Sequence, residues 1–252
     1  MADREADEMN SPRLQQTLGQ EPYKKASVAE HYATLATNGA LRAREVKVVN
    51  RHFENRDAQV LDLGCGAGRT TQALDRRGFD VIGIDVSEPM VELANELFDH
   101  LDIRVGDATN LDFGDATFDY ILFSWVGIDS IRPPDKRKQA LQEIFRVLKP
   151  GGVFAVSTHN NLYALPALFI DWKYIRNYYF KNGNIRNWWS RYKIDDTDFG
   201  VHKYMANPVH HVRQLRQTGF ELIELIGRRE SIGRYFEGQP YYVVRKPANI
   251  NG

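Results

Sequence analysis

The segment Val60-Leu61-Asp62-Leu63-Gly64-Cys65-Gly66-Ala67-Gly68 decides the fold of this chain. Its first four residues are mostly apolar, which is typical of a short buried strand, and three glycines at alternate positions follow. Glycine adopts positive φ readily, so the backbone can turn sharply there and approach a ligand closely. A helix predicted over residues 70–77 would direct its first N–H groups at the same place. The segment therefore predicts a strand–turn–helix unit with a ligand crevice at the carboxyl end of the strand.

Short apolar runs alternate with stretches of helical periodicity from residue 59 onward. Strands are predicted over residues 60–63, 79–84, 101–105, 118–123 and 153–157. Helices are predicted over residues 27–36, 40–54, 70–77, 88–100, 135–148 and 208–218. Apolar runs at residues 220–226 and 241–244 predict a closing antiparallel pair. This order is that of an α/β fold with three layers, in which a Rossmann-like, mostly parallel sheet lies between helices.

The domain organisation follows from where this alternation starts and lapses. Residues 1–20 are polar and are expected to form a flexible tail, and residues 21–56 an N-terminal helical flap. The core is predicted over residues 57–158 and 206–247. Residues 159–205 interrupt it after the fifth strand and are predicted to form an inserted cap.

Composition excludes several classes of function. Lys+Arg and Asp+Glu are equal at 33 each, so nucleic acid is not expected as a partner. Cys65 is the only cysteine, which rules out an intramolecular disulfide and agrees with a cytoplasmic protein. Apolar runs fall short of the roughly 18 residues that span a bilayer. Compact His/Asp/Glu clusters with ligand spacing are not found, so no metal site is expected.

The glycine spacing separates two classes of ligand. A nicotinamide-binding turn has the pattern Gly-x-Gly-x-x-Gly, and its third glycine would stand where this chain has Arg69. Here the third glycine, Gly68, arrives one residue early. The carboxylate of Asp62 would also repel a pyrophosphate, whereas a ligand with an ammonium and a sulfonium group gains from it. The segment thus favours S-adenosylmethionine over a dinucleotide.

With these motifs the chain resembles the class I S-adenosylmethionine-dependent methyltransferases, and most closely the ubiquinone/menaquinone-biosynthesis-like group with a type 11/25-like domain. Further matches follow in the family's order at Gly83–Ser87, Gly106–Ala108, Phe118–Ile121 and Val147–Gly152. The resemblance covers about residues 59–157. It implies a seven-stranded sheet whose last strand is antiparallel, and S-adenosylmethionine as the cofactor.

The resemblance also implies which residues bind the methyl donor. They are Tyr32, Asp62, Gly64, Gly66, Gly68, Asp85, Val86, Met90, Asp107, Ala108, Ser124 and Trp125. Asp85 would accept hydrogen bonds from both ribose hydroxyls. Asp107 would accept one from the exocyclic amine of adenine, and Ala108 would support the ring by a backbone contact. Val86 and Met90 would pack against adenine, although Met90 fits an ordinary core position equally well.

The remaining members of this set would surround the methionine end. The three glycines would line the methionine and ribose part, with Asp62 near the amino group. Ser124 and Trp125 would border the methionine portion, and Tyr32 would close over the donor. Structural alternatives stay open: the glycines could form a plain strand-to-helix turn, and Asp85 could cap the following helix near Ser87.

His159 is the candidate catalytic base. It follows the fifth predicted strand, at the edge of the crevice. A hydroxyl acceptor must lose its proton to be methylated, and histidine is the side chain best suited to accept a proton near neutral pH. Asp129 is a second acid that could lie near the acceptor, while His210 and His211 fit the start of a helix. The predicted reaction is O-methylation of a small-molecule, sugar/glycan or lipid-linked acceptor. The alternatives are C-methylation of a quinone-type acceptor and a non-catalytic partner subunit with a methyltransferase fold.

The predicted cap mixes aromatic and basic side chains. They include Trp172, Tyr174, Tyr178, Tyr179, Trp188, Trp189 and Tyr192, with Lys173, Arg176, Lys181, Arg186, Arg191 and Lys193 among them. This mixture suits a flat or lipid-bearing acceptor that carries negative charge. It suits a peripheral membrane contact as well, and a small aromatic subdomain or a dimer contact would explain it without any ligand.

Overall fold

The computed structural model describes residues 36, 39–163, 165–166, 172–176, 189–194 and 202–248. Within them the helices are α1 (Ala43–His52), α2 (Arg69–Asp75), α3 (Glu88–Leu97), α4 (Pro134–Val147), α5 (Trp172–Ile175) and α6 (Pro208–Thr218). The strands are β1 (Gln59–Leu63), β2 (Asp80–Asp85), β3 (Asp102–Val105), β4 (Phe118–Phe123), β5 (Leu148–Ser157), β6 (His159–Asn160), β7 (Ser190–Ile194), β8 (His202–Ala206), β9 (Glu221–Ile226) and β10 (Tyr241–Arg245). Two 3₁₀ turns are Gly127–Ser130 and Ile232–Phe236.

Seven strands form the main sheet, in the order β3-β2-β1-β4-β5-β10-β9. Strands β1 to β5 pair in parallel, and β10 is antiparallel to both of its neighbours, β5 and β9. The predicted fold, a mostly parallel seven-stranded sheet with an antiparallel last strand, is confirmed. The chain moves outward from β1 to β3 and returns to the other side of β1 at β4. A crevice opens at such a reversal, at the carboxyl ends of β1 and β4.

Apolar side chains cover both faces of this sheet. In β1, Leu61 and Leu63 pack into one buried cluster, whereas Val60 packs into another with Phe53 of the segment after α1. Leu122 of β4 belongs to the same cluster as Val60, and its neighbours along the strand face the other way. Parallel strands buried on both faces read as nearly continuous apolar runs, which explains why the sequence revealed them.

The junction between α4 and β5 differs from its prediction. A Pro-Gly-Gly turn was expected to separate a helix ending at residue 148 from a strand beginning at residue 153, and this was wrong. Helix α4 ends at Val147 and β5 begins at Leu148 without a loop. The Gly151 N–H donates to the Lys246 carbonyl at 2.8 Å, and the Lys246 N–H donates to Gly152 at 3.0 Å. These bonds to a distant segment hold the Pro-Gly-Gly stretch as an irregular part of the strand.

A second, three-stranded sheet has the order β6-β8-β7. It is tied to the main body because the Asn160 side-chain amide donates to the carbonyls of Tyr235 and Glu237, at 2.7 and 3.0 Å. Half of the aromatic residues of the predicted cap lie outside the described residues, whereas Trp172 and Trp189 are described and exposed. The cap over residues 159–205 as an acceptor-binding unit stays a prediction.

The N-terminal part of the prediction is only partly covered. The predicted tail over residues 1–20 and Tyr32 lie outside the described residues, and the helix over residues 27–36 is described only at Ala36. The helix predicted over residues 40–54 is present as α1. Among the described helices, none has the length and apolar character needed to cross a membrane.

Candidate active site

The glycine turn after β1 has the backbone geometry that its sequence predicts. Gly64 and Gly66 have φ of +64° and +56°. The N–H groups of Gly64 and Cys65 donate to the Ile84 carbonyl at 2.7 and 3.1 Å, which fixes the turn to the end of β2. A Cβ at Gly64 would lie 2.8 Å from the Phe123 ring, whereas one at Gly66 would meet nothing within 4 Å. The backbone at Gly66 thus faces open space that a side chain would fill.

That open space belongs to a cavity of about 1220 Å³, which includes its open mouth. The predicted donor residues on its wall are Gly64, Gly66, Asp85, Val86, Met90, Asp107, Ala108, Ser124 and Trp125. They come from the ends of β1, β2, β3 and β4 and from α3, so segments far apart in sequence meet at one crevice. This is the position expected of a small-molecule site in an open α/β sheet.

Asp85 is the carboxylate at the centre of the wall. Its Oδ2 accepts the Gly66 N–H at 2.8 Å, and its Oδ1 accepts the Ser87 N–H at 2.9 Å. Burial raises the pKa of Asp85, although these backbone donors oppose the shift. Each carboxylate oxygen has more than one lone pair, so each can accept a further bond from a ligand. The arrangement fits a vicinal diol such as that of ribose.

Asp107 lines the cavity together with several apolar side chains. The Asp107 Oδ1 accepts the Thr109 N–H at 2.8 Å, which fixes the carboxylate after β3. Val86, Met90 and Ala108 line the same cavity, and Met90 is also part of the buried cluster around α3. Met90 is therefore both a core residue and a wall residue. A flat aromatic base with an exocyclic amine would fit between these side chains.

Gly68 does not line the cavity. It precedes α2 with φ of +84°, and a Cβ there would lie 2.9 Å from Ile103 and 3.1 Å from Phe98. Its lack of a side chain lets the start of α2 pack closely against β3 and α3. The requirement for glycine at this position is therefore a packing requirement.

Asp62 also lies behind the wall. It is fully buried, and its Oδ2 accepts the hydroxyls of Thr70 and Thr71 at 2.5 and 2.8 Å. Burial raises its pKa to about 6. Its Oδ1 has no hydrogen-bond partner among the described residues. Because Thr70 lines the cavity, Asp62 reaches a ligand only through that residue.

His159 stands beside the cavity, although it is not one of the wall residues. Its N–H and its Nδ1 lie 2.6 and 2.9 Å from Oδ2 of Asp129, and the other Asp129 oxygen accepts from Arg137 at 2.9 Å. Asp129 is fully buried in the 3₁₀ turn whose Gly127 and Ser130 line the cavity. The structure therefore joins His159 to the cavity wall through one buried carboxylate.

His211 supports this arrangement in a way that the sequence did not suggest. It is buried at the start of α6, and its Nε2 lies 3.0 Å from the His159 carbonyl, to which it donates. Burial lowers the pKa of His211 to about 3, so the ring is neutral and serves as a fixed donor.

Several wall residues were not predicted. They include Ala36, Arg69, Thr70, Ser130, Ile131 and Arg132. Arg69 and Thr70 open the helix after the glycine turn, and a helix start that faces a crevice could have been recognised as part of the site. The segment 130–132 has no periodicity or motif that would have indicated it.

Comparison with known proteins agrees with this geometry. Residues 60–152 match the family described as "Methyltransferase domain". A demethylmenaquinone methyltransferase of Lactiplantibacillus plantarum is 43% identical over 104 residues, which are 38% of this chain and 42% of that protein. One from Paenarthrobacter aurescens is 37% identical over 124 residues, 44% of this chain and 47% of that protein. The chain thus matches less than half the length of these curated relatives.

A crystal structure of an S-adenosylmethionine-dependent methyltransferase from Methanosarcina mazei has the same fold. The TM-score is 0.62 at 21% identity, over 83% of this chain and 100% of that one. Over residues 60–152, this chain is similar to the class I S-adenosylmethionine-dependent methyltransferases, and the predicted resemblance is confirmed. S-adenosylmethionine is the cofactor that this family and fold imply. The buried carboxylate of Asp85 and the open space at Gly66 fit this cofactor.

The Asp85→Asn variant tests the ribose contact. The amide lacks the negative charge that strengthens hydrogen bonds from a diol. A hydrogen bond to a charged group contributes about 1.5–3 kcal/mol, so the affinity for S-adenosylhomocysteine should fall about 10- to 150-fold. Isothermal titration calorimetry measures it. Asp80→Asn, at the exposed start of the same strand, is the matched control and should bind like the parent chain. Equal affinities in the two variants would remove Asp85 from the site.

The buried Asp62 predicts a pH dependence of stability. Its pKa is about 6 in the folded chain against about 3.9 when unfolded, so the folded chain holds the extra proton between these values. The stability contribution of the protonated group is present below pH 4 and is lost as the pH rises through 6. As the pH rises from 4 to 7, the free energy of unfolding of Asp62→Asn should therefore increase by about 1–3 kcal/mol relative to that of the parent chain. Thermal unfolding of both proteins across this range checks it, and a constant difference would contradict the assignment.

Proposed function

We propose that this chain transfers a methyl group from S-adenosylmethionine to the hydroxyl of a small-molecule, sugar/glycan or lipid-linked acceptor. The observation that carries the proposal is the His159–Asp129 pair beside a cavity whose wall fits the donor. A methyl donor needs little activation, so the protein mainly has to align the acceptor, exclude water and take up one proton.

The hydrogen bonds of His159 support its proposed role as the base. Asp129 Oδ2 is an acceptor, so the proton of the neutral ring resides on Nδ1 and the lone pair on Nε2. Gln239 lies 3.4 Å from that Nε2 through its own amide nitrogen, which is consistent with a lone pair there. Arg137 balances the Asp129 charge and keeps the carboxylate in place. In the proposed mechanism Nε2 exchanges this long contact with Gln239 for the acceptor hydroxyl and removes its proton.

The reaction balances with these groups. When bound, S-adenosylmethionine supplies a methyl group on a sulfonium, whose carbon–sulfur bond breaks to leave a neutral thioether. The acceptor oxygen forms the new bond to carbon, and its proton passes to Nε2 of His159. Asp129 stabilises the resulting imidazolium, as a buried carboxylate does for a histidine base. Trp125 and Ile131 line the cavity and would shield a bound acceptor from water.

A quinone-type acceptor methylated on carbon is the second candidate, because two of the similar proteins are named demethylmenaquinone methyltransferases. The same histidine serves this reaction, since removing a phenolic proton makes the ring carbon nucleophilic. Identification of the methylated atom by NMR of the product separates the two. A non-catalytic role as a partner subunit requires that no acceptor is methylated at all.

The proposal also covers the apolar part of the acceptor, a peripheral membrane contact and the location of the protein. Exposed Trp172 and Trp189 support an acceptor with an apolar part, or a peripheral contact of the cap with a membrane surface. A cytoplasmic location and the absence of a nucleic-acid partner are carried over from the charge balance and the single cysteine.

Donor binding is the first test of this function. S-adenosylhomocysteine should bind with a stoichiometry of one in isothermal titration calorimetry, and NAD should not bind, because Arg69 stands where the dinucleotide motif has glycine. Binding of NAD alone would reject the proposed activity.

His159→Gln tests the base. Loss of general-base catalysis should lower the turnover number about 10²- to 10⁴-fold and leave the affinity for S-adenosylhomocysteine unchanged. Turnover is measured with methyl-labelled donor and panels of phenolic, glycosidic and quinol acceptors. His100→Gln, an exposed histidine after α3, is the matched control. Parental turnover in His159→Gln would clear His159 of this role.

A further inference from the structure

A buried carboxylate of α1, Glu45, lies where three parts of the fold meet. Only 2% of it is exposed. Its two oxygens accept the two Nη groups of Arg69, each at 2.8 Å, in a bidentate pair. The N–H of Arg42 donates to Oε2 at 2.7 Å, and the Tyr241 hydroxyl donates to Oε1 at 3.2 Å. Glu45 therefore joins α1, α2 and β10.

Two of these partners lead directly to the cavity. Arg69 is itself a wall residue. The Tyr241 hydroxyl lies 2.9 Å from Oγ of Ser124, another wall residue at the end of β4. One carboxylate thus fixes the wall on the α2 side and the wall on the β4 side at the same time.

The start of α1 meets the cavity a second time at Trp125. The guanidinium of Arg42, which precedes α1, lies 3.7 Å from the centre of the Trp125 ring, and that of Arg69 lies 5.5 Å from it. Ala36, further toward the N-terminus, also lines the cavity. The indole therefore contacts two guanidinium groups, and Glu45 binds the guanidinium of Arg69 and the backbone N–H of Arg42.

The charge on Glu45 is what makes this junction firm. Burial acts to raise its pKa, but the hydrogen bonds and charge of Arg69 prevail, and the pKa of Glu45 is lowered. The group is an ionised carboxylate in a buried bidentate pair. Neutralising it would leave the Arg69 cation without its counter-charge in a largely buried place, which is strongly unfavourable.

We propose that Glu45 is a positioning residue that couples the docking of α1 to the binding of the methyl donor. The inference rests on the proposed function, because the donor is the ligand of this cavity. Coupling between two events is reciprocal. If a docked α1 strengthens donor binding, then bound donor strengthens the docking of α1 by the same factor.

The far side of α1 offers a matched control. There Arg51 and His52 contact Glu224 of β9 at 2.8 and 2.9 Å, and Lys47 contacts Glu230 at 2.6 Å. These pairs also attach α1 to the body of the protein, but none of their residues lines the cavity. Glu224→Gln therefore weakens the attachment of the same helix without touching the wall.

The experiment compares Glu45→Gln with Glu224→Gln in the full chain. The affinity for S-adenosylhomocysteine, measured by calorimetry, should fall at least about fivefold in Glu45→Gln and stay within about twofold of the parent in Glu224→Gln. Hydrogen exchange gives the reciprocal readout. Bound S-adenosylhomocysteine should slow exchange across residues 43–52 in the parent chain and in Glu224→Gln, and much less in Glu45→Gln.

Tyr241→Phe provides a milder variant in case Glu45→Gln does not fold. It keeps the aromatic ring and the Glu45–Arg69 pair and removes only the hydroxyl that joins Glu45 to Ser124. Its affinity for S-adenosylhomocysteine should fall in the same direction by a smaller factor. Parental affinity in a folded Glu45→Gln would overturn the coupling, and so would parental affinity in Tyr241→Phe where Glu45→Gln does not fold. Exchange across residues 43–52 that bound S-adenosylhomocysteine does not slow in the parent chain would overturn it as well.

The outcomes separate this inference from the function on which it rests. If the parent chain does not bind S-adenosylhomocysteine, the proposed function fails. If the parent binds and Glu45→Gln binds equally well, only the coupling fails. If Glu45→Gln and Glu224→Gln lose affinity equally, Glu45 acts through overall stability and the positioning role is rejected.

Discussion

The structure depends on the turn that joins β1 to α2, and above all on the bonds that tie this turn to the end of β2. The N–H groups of Gly64 and Cys65 bond to the Ile84 carbonyl, and the Gly66 N–H bonds to the Asp85 carboxylate. A turn with positive φ at alternate residues is required for these donors to point in this direction, and glycine meets that requirement without strain. The position of the cavity, its open space and the orientation of its central carboxylate all follow from it.

Some carboxylates of the site lie on the cavity wall, and others are buried behind it and hold wall residues in place. Asp85 and Asp107 are on the wall, where backbone N–H groups fix their carboxylates, and in the proposed complex they would accept hydrogen bonds from the nucleoside of the donor. Asp62 and Glu45 are behind the wall and act on it through Thr70 and Arg69. Asp129 does the same for His159. Buried charges of this kind persist only when their partners are in place, so they also hold the wall in one geometry.

Much of the fold was predictable because its signals are local. Buried parallel strands read as short apolar runs, and the glycine segment of residues 64–68 marks a turn by its own composition. The start of β5 was mispredicted because Lys246, distant in sequence, supplies the bonds that keep Gly151 and Gly152 in the strand. No local pattern announces such a partner.

In the site, too, local sequence patterns predicted some residues, whereas contacts between distant residues were not predicted. Asp85 and Asp107 follow strands directly, so their place on the wall could be inferred from the motif and strand order. The burial of Asp62 depends on the hydroxyls of Thr70 and Thr71. The ion pair between Arg69 and Glu45 depends on how α1 packs against the rest of the chain, which the local sequence does not indicate. From the sequence, Arg69 showed only that the glycine pattern differs from the dinucleotide-binding one.

A crystal structure of the chain grown with S-adenosylhomocysteine tests the central claim most directly. The ligand should lie along the glycine turn, with both ribose hydroxyls within hydrogen-bond distance of Asp85 and the adenine amine near Asp107. Density for the ligand elsewhere, or a crevice filled by protein side chains under saturating ligand, would contradict it.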